Sequence, residues 1–207
     1  MTGNGQHQST KPIDTSSVLY RTNPCSLEIG KFGFGIFLVS LGVFFAASIV
    51  GYLVIRLRAN EWPPAGAPEL PFGLWISTAV ILLTSVAIQW AVNSIRQNHK
   101  EKLLLALYAT IGLGSLFLAL QTWNWAAMVQ RELLMKDNLY AFTFYLLTGL
   151  HALHVIGGII PLAVTIHKAR QELYTSYHYN GVYYCAMYWH FLDGVWIVLY
   201  TTLLLGS

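Results

Sequence analysis

Five long stretches without a charged side chain dominate this sequence. Four of them run from Phe32 to Ile55, Leu70 to Ile95, Leu103 to Gln130 and from Asn138 past Ala163, and the fifth, Leu173 to Ser207, is interrupted once, at Asp193. About 20 helical residues cross a hydrocarbon core of about 30 Å, so each stretch is long enough to span it. Barrel strands need roughly 10-residue segments of alternating polarity, which these continuous stretches lack. The sequence therefore predicts membrane-spanning helices.

The fold class that follows is all-α, an integral membrane bundle of five transmembrane helices. The helices are predicted at residues 31–56, 71–96, 103–126, 138–167 and 182–205. With 55% hydrophobic and 10% charged residues, residues 31–207 form the membrane domain, because a soluble domain is more polar. Residues 1–30 are predicted to be a polar, mobile arm without a signal peptide, so we expect the first helix to direct insertion.

The positive charges predict the orientation of the bundle. An N-terminus inside and a C-terminus outside would place eight of the 12 Lys and Arg residues on the inner side and four outside: Lys11, Arg21, Lys31, Arg96, Lys100, Lys102, Lys168 and Arg170 against Arg56, Arg58, Arg131 and Lys136. Cytoplasmic loops are enriched in such residues. The net charge of +3 is thus explained by topology and by attraction to anionic headgroups, and no nucleic-acid partner is expected.

Small residues and cysteines carry two further expectations. The first predicted helix contains Gly33, Gly35, Gly42 and Gly51, and because small residues let helices approach closely in lipid, it is predicted to be an inner, packed helix. Cys25 and Cys185 show no paired spacing, so neither a disulfide nor a metal site is indicated.

The fourth and fifth predicted helices carry a polar constellation. His151 and His154 are three residues apart in the fourth, and His190 and Asp193 are three apart in the fifth, so each pair shares a helix face. A charged carboxylate in mid-span costs roughly 2.5 to 3.5 kcal/mol, so Asp193 must be neutral, paired or hydrated. The three histidines are its candidate partners if the two helices pack together.

Three interpretations of this constellation remain open. The residues form a polar clasp that holds the helix pair in register without chemistry. Alternatively, the histidines ligate heme or a metal, since imidazole serves both. In the third interpretation, the cluster is proton-linked, as in a pump or transporter. The last needs a continuous polar path, for which the first three helices offer few polar residues, among them Ser85, Gln89 and Gln121.

Two motifs make the chain similar to subunit III of heme-copper terminal oxidases, in the short five-helix bacterial form. They are Thr-Gly-Leu-His-Ala-Leu-His-Val-Ile-Gly-Gly at 148–158 and Tyr-Trp-His-Phe-Leu-Asp-Gly-Val-Trp at 188–196, supported by Trp-Pro-Pro-Ala-Gly-Ala-Pro at 62–68. The likeness covers about residues 30–206. Its structural signature residues are Thr148, Gly149, Gly157, Gly158, Trp189 and Trp196.

The resemblance implies an accessory, non-redox subunit of a cytochrome c or quinol oxidase, which reduces oxygen and translocates protons. It implies direct contact with subunit I, further contacts with subunit II and other subunits, and structural phospholipid. Hemes and copper are expected in the partner subunits and no cofactor, catalytic residue or metal in this chain. The implied location is the bacterial inner (plasma) membrane.

Departures from the family pattern lie at titratable positions. The family's usual helix 1 carboxylate follows a serine, whereas Ser40 is followed here by Leu41. The usual Glu three residues after Gln121 is Asn124, and a helix 2 position often occupied by His is matched to Gln89. The alternatives are a subunit III homologue of a nitric-oxide reductase or divergent oxidase, a stand-alone b-type membrane cytochrome, and a small proton-coupled transporter centred on Asp193.

Overall fold

The computed structural model describes residues 24–64, 71–130 and 139–206, with side chains from residue 30 onward. Five helices make up its regular structure: α1 (Pro24–Arg58), α2 (Gly73–Arg96), α3 (Lys100–Gln130), α4 (Leu139–Arg170) and α5 (Asn180–Leu204). The predicted all-α fold with five helices is confirmed, and α2, α4 and α5 begin within two residues of their predicted starts. Long apolar runs predict helices well because lipid offers the backbone no other hydrogen-bond partners.

Helices α1 and α3 are longer than the sequence predicts. Helix α3 spans Lys100–Gln130 rather than residues 103–126. Helix α1 begins at Pro24 rather than near residue 31, and proline is well tolerated in a first helical turn. Residues 1–23 of the predicted arm lie outside the described residues, whereas residues 24–30 belong to α1. The side chain of Cys25 and residues 65–68 of the proline-rich motif also lie outside them, whereas Cys185 is buried, with Sγ 3.3 Å from Thr165 Oγ1.

The chain divides into two compact units, Met1–Ile36 and Phe37–Ser207. The described part of the first unit is the N-terminal portion of α1. The second unit holds the remainder of α1 and the helices α2 to α5, and its core is built from all five segments. The four residues of the polar constellation all belong to this second unit.

Helices α1 to α4 are each long and apolar enough to cross a membrane, judged by length and composition. Helix α5, which is rich in Tyr and Trp, is not among these four, but its contacts show that it runs antiparallel to α2 along the length of that helix. Trp196 contacts Thr78, His190 contacts Ser85, and Tyr179 contacts Arg96. Because α2 is long enough to span, α5 traverses the same depth, with its polar groups turned toward its neighbours.

The prediction that α1 is a closely packed inner helix is wrong. Within residues 37–58, Phe45 and Tyr52 are the buried side chains, and no atom lies within 4 Å of the position of a Cβ on Gly51. Gly42 alone of the glycines in this range faces a neighbour, Phe191. Glycine permits close helix approach but does not enforce it, and here large aromatic rings make the contacts instead.

Polar contacts join the helix ends that the distribution of Lys and Arg residues predicts to lie on the inner side of the membrane. Lys100 Nζ lies 2.6 Å from Glu172 Oε2, which links the start of α3 to the end of α4. Arg96 Nε donates a hydrogen bond to the Tyr179 hydroxyl at 3.4 Å. These contacts place the α4 to α5 connection beside the start of α3 and the end of α2.

Candidate functional site

His151 is enclosed by aromatic rings. Its ring centroid lies 5.0 Å from that of Trp196, 5.7 Å from Phe117 and 6.3 Å from Phe45. The side chain is fully buried, and neither ring nitrogen has a hydrogen-bond partner in the described part of the chain. Helices α1, α3, α4 and α5 therefore meet around this imidazole, which sits where a packing residue would be expected.

Asp193 is buried on α5, with 3% of its surface exposed. Neither carboxylate oxygen meets hydrogen-bond geometry with any described side chain. The spacing in the sequence suggested a direct contact with a histidine, and the structure does not form one.

His190 turns toward α2 rather than α4. Its Nδ1 lies 2.6 Å from Ser85 Oγ, and its Nε2 lies 3.1 Å from Gln89 Oε1. Gln89 in turn donates from Nε2 to Asn93 Oδ1 at 3.2 Å. A carbonyl oxygen only accepts, so the proton of neutral His190 is assigned to Nε2, and Nδ1 accepts from the Ser85 hydroxyl.

His154 pairs with its own helix. Its Nδ1 lies 2.7 Å from the Leu150 carbonyl oxygen, so that nitrogen carries the proton. The imidazole packs against Phe45 and Phe44 of α1, at centroid distances of 4.9 and 6.2 Å. The structure thus separates the four constellation residues into three different surroundings, and their roles as a clasp or as proton-linked groups remain predictions.

The signature glycines lie where α4 approaches α5 and α3. A Cβ on Gly158 would lie 2.7 Å from Tyr188 Cε1, whereas one on Gly157 would lie 3.8 Å from the Tyr188 hydroxyl. The Tyr188 hydroxyl donates to the His154 carbonyl oxygen at 3.0 Å. A Cβ on Gly149 would meet the Trp125 ring of α3 at 3.9 Å. Of these three glycines, Gly158 is therefore the one at which a Cβ would force the Tyr188 ring or the helix to move.

The remaining signature residues join other helix pairs. Thr148 Oγ1 accepts a hydrogen bond from Trp125 Nε1 at 3.1 Å, joining α4 to α3. Trp196 Nε1 donates to Thr78 Oγ1 at 3.0 Å, joining α5 to α2. Trp189 is fully buried and lies against Gly114 of α3. The two motifs lie on α4 and α5, and their side chains also contact α3 and α2. They therefore build the common interior of α2 to α5.

The two positions at which the resemblance implies a missing acid are occupied by residues that pack. Leu41 is partly buried against the core. Asn124 is 2% exposed, and its Nδ2 donates to Ser77 Oγ at 3.1 Å, joining α3 to α2. Gln121 is also buried, and its amide has no partner in the described part. Among the described residues, no group of three or more His, Cys, Asp or Glu side chains could hold a metal ion.

Comparison with known proteins identifies the family. The family described as "Cytochrome c oxidase subunit III" matches residues 16–207. The chain belongs to the cytochrome c oxidase subunit III family. The sequence-based resemblance is thereby confirmed, and the matched range contains both motifs and every residue of the site.

Several relatives carry the name cytochrome c oxidase subunit 3. The protein of Strongylocentrotus purpuratus is 33% identical over 177 residues, which cover 82% of this chain and 67% of the relative. That of Dasypus novemcinctus is 33% identical over 183 residues, 84% and 68% of the two chains. That of Petromyzon marinus is 34% identical over 191 residues, 89% and 72%. Subunit III membership therefore rests on nearly the whole length of this chain.

Sequence reasoning did not find the partners of the subunit III motif residues. Ser85 and Gln89 stood out only as polar residues, and Tyr188 only as part of the second motif. Nothing in the sequence paired Trp125 with Thr148 or Gly114 with Trp189. One pattern could have pointed to them. Ser85, Gln89 and Asn93 follow one another at intervals of four along α2, which places a polar stripe on one face of an apolar helix.

Proposed function

We propose that this chain is an accessory subunit, without a redox centre of its own, in a bacterial heme-copper terminal oxidase. In this role it supports the assembly of the complex, binds phospholipid and stabilises subunit I, which with other subunits holds the hemes and copper. The observation that carries the proposal is the subunit III family match over residues 16–207. The oxidase as a whole would reduce oxygen with electrons from cytochrome c or a quinol and translocate protons.

An indirect contribution to catalysis is supported by how the motif residues are used. Three motif side chains are each at most 1% exposed: His151, Trp189 and Trp196. All three pack between helices. A b-type heme would need two imidazoles facing each other across one site. Instead, His190 engages α2 through both ring nitrogens, while aromatic rings surround His151. The geometry favours the accessory role over a stand-alone cytochrome.

A phospholipid site is supported by an apolar groove between α1 and α5. The groove has a volume of about 460 Å³, and its lining includes Phe45, Ala46, Ile49, Phe191, Val195 and Val198. Because α1 makes few buried contacts, the groove stays open on one side, as an acyl chain entering from the bilayer requires. We propose that an acyl chain lies in this groove and ties α1 to the rest of the bundle.

The bacterial plasma membrane is the location that we propose, with subunit I in direct contact. This part of the proposal is supported by the likeness of the five-helix arrangement to the short bacterial form of subunit III. Exposed apolar side chains along α1, such as Val39, Val43 and Leu57 at 67, 65 and 84% exposure, fit a helix that faces lipid or another subunit.

Purification of the tagged chain in mild detergent tests the proposal. We expect subunits I and II to co-purify, with an absorption spectrum of hemes that disappears when the chain is separated from its partners. A Soret band that stays with the separated chain and shifts on reduction would contradict the accessory role. Loss of the chain should leave the remaining oxidase able to turn over but inactivated sooner.

The lipid site has its own test. Gly194 lines the groove, and no atom lies within 4 Å of a Cβ there, so the side chain of Gly194→Leu should enter and fill the groove. Native mass spectrometry should show less retained phospholipid for this variant than for Gly51→Leu, which also enters open space but lies outside the groove lining. Equal lipid retention by both variants would contradict the site.

A further inference from the structure

An open cleft lies between α2 and α5 on the outside of the bundle. It has a volume of about 430 Å³ and is lined by Ser85, Val86, Gln89, Trp90, Asn93 and His190. Val86 and Trp90 are 65 and 41% exposed, and Gln89 and Asn93 are exposed as well. The cleft therefore combines the polar stripe of α2 with large apolar side chains.

Gln89 lies within the hydrocarbon part of the membrane. Helix α2 has 24 residues, which span about 36 Å at 1.5 Å per residue, whereas the hydrocarbon core is about 30 Å thick. Gln89 is seven residues before the end of α2 at Arg96, or about 11 Å inside that end. An exposed amide at this depth is costly unless it finds a hydrogen-bond partner.

The amides of the stripe have N–H groups without an acceptor. Gln89 Nε2 donates to Asn93 Oδ1 at 3.2 Å, and Gln89 Oε1 lies 3.1 Å from His190 Nε2. Asn93 Nδ2 donates to no described residue. Since each amide nitrogen carries two N–H groups, one N–H of Gln89 and both of Asn93 are left for a partner outside the described bundle.

Other polar side chains of the described helices do not need an outside partner in this way. Gln121 and Asn124 of α3 are buried in the bundle. The exposed hydroxyls of Thr122 and Thr202 donate to the carbonyl one turn earlier in their own helix. Among the described amide side chains that lie more than one turn from a helix end, Gln89 is the exposed one.

We propose that this cleft is a docking surface for a transmembrane helix of another subunit, whose oxygen-bearing side chain accepts hydrogen bonds from Gln89 and Asn93 beside Trp90. Polar side chains in a membrane hydrogen-bond across helix pairs. The N–H groups set the chemistry of the partner, which presents a carboxylate, amide or hydroxyl oxygen rather than Lys or Arg. The inference rests on the proposed function, which requires a partner subunit, and it adds the face of the bundle and the chemistry of the contact.

The same features disfavour the other occupants of a membrane surface. An acyl chain would cover Val86 and Trp90 but offers no acceptor, and phospholipid ester oxygens lie in the interface rather than about 11 Å inside a helix end. A second copy of this chain in a two-fold arrangement would bring the same N–H groups face to face. A partner helix with an acceptor satisfies the amides and also covers Trp90, a residue type enriched at the centres of interfaces.

Photo-cross-linking in intact membranes tests the docking surface. A photoreactive amino acid replaces Val86, and the joined peptide is identified by mass spectrometry. We expect a transmembrane peptide of a different chain that carries an oxygen-bearing side chain. The control is the same replacement at Ile160 of α4, which is 64% exposed and lies outside the cleft; it should not join that peptide.

A matched pair of variants tests the hydrogen-bond chemistry. Asn93→Asp keeps an oxygen for the bond from Gln89 and removes both N–H groups of Asn93. Gln97→Glu makes the same amide-to-acid change at an exposed residue just after α2, outside the cleft lining. In the purified complex we expect Asn93→Asp to dissociate from its partner roughly tenfold faster than Gln97→Glu, the usual scale of one interhelical hydrogen bond in a membrane.

The docking surface is overturned if the probe at residue 86 joins only lipid or a second copy of this chain, or if Asn93→Asp dissociates no faster than Gln97→Glu. Either result leaves co-purification of the tagged chain with hemes, and hence the accessory function, intact. Conversely, a cross-link to an acceptor-bearing helix of a complex without hemes would support the docking surface and contradict the proposed oxidase role.

Discussion

Replacement of Gly158 by alanine tests the packing of α4 against α5. The added Cβ would lie 2.7 Å from Tyr188 Cε1 and 3.1 Å from Cδ1, so the ring or the helix must move. Overpacking of this kind costs about 1–3 kcal/mol. Displacing the ring also breaks the 3.0 Å hydrogen bond from the Tyr188 hydroxyl to the His154 carbonyl, which adds about 0.5–1.5 kcal/mol.

Gly157→Ala is the matched control, because it makes the same chemical change one residue earlier in the same helix. Its Cβ would lie 3.8 Å from the Tyr188 hydroxyl, an ordinary contact. Both variants gain the same helix propensity, about 1 kcal/mol in water, so this gain cancels in the comparison. We expect Gly158→Ala to be less stable than Gly157→Ala by about 1.5–4.5 kcal/mol.

Unfolding of the purified chain or complex by sodium dodecyl sulfate in mixed micelles provides the measurement, with tryptophan fluorescence as the probe. Thermal inactivation of the complex gives an independent ranking of the two variants. If Gly158→Ala proves as stable as Gly157→Ala by both measurements, the close approach of α4 to the Tyr188 ring is not a constraint on this bundle, and the reasoning is refuted.

Three further predictions follow from the contacts. Thr148→Val should cost about 1–3 kcal/mol, because the partly buried Trp125 N–H loses its acceptor. Thr202→Val loses only a bond to the carbonyl of its own helix, which Thr148 also makes, and should cost little in the same unfolding assay; equal losses would contradict this. Carbodiimide at neutral pH should not label the middle of α1, because Leu41 has no carboxyl group, and a labelled peptide there would show that the helix is misaligned with its relatives. The hydrogen bond and charge of Lys100 hold the pKa of Glu172 below its ordinary value of 4.5. The interaction between the two side chains is therefore present above that pH and is lost as pH falls through the lowered pKa. Carboxyl NMR should show the Glu172 pKa rising in Lys100→Met and staying low in Lys102→Met.

The fold was open to prediction from local sequence because lipid imposes one rule on every stretch. Uncharged runs such as Phe32 to Ile55 must be helical wherever they cross the bilayer, whatever their neighbours. The boundaries of α2, α4 and α5 followed from the same rule, and the two motifs at 148–158 and 188–196 were specific enough to indicate the family.

The tertiary structure decided which side chains meet. Spacing placed His190 and Asp193 on one face of α5, but whether that face meets α4 or α2 depends on the rotation of α5 about its axis. The Trp196 to Thr78 and His190 to Ser85 contacts show that this face turns to α2. Likewise, the glycines of α1 allowed close packing, and only the positions of Phe45 and Phe191 show that bulky rings make its contacts. Hydrophobicity in a membrane sets which segments are helices, whereas rotation and partner choice depend on packing and hydrogen bonds between residues distant in sequence.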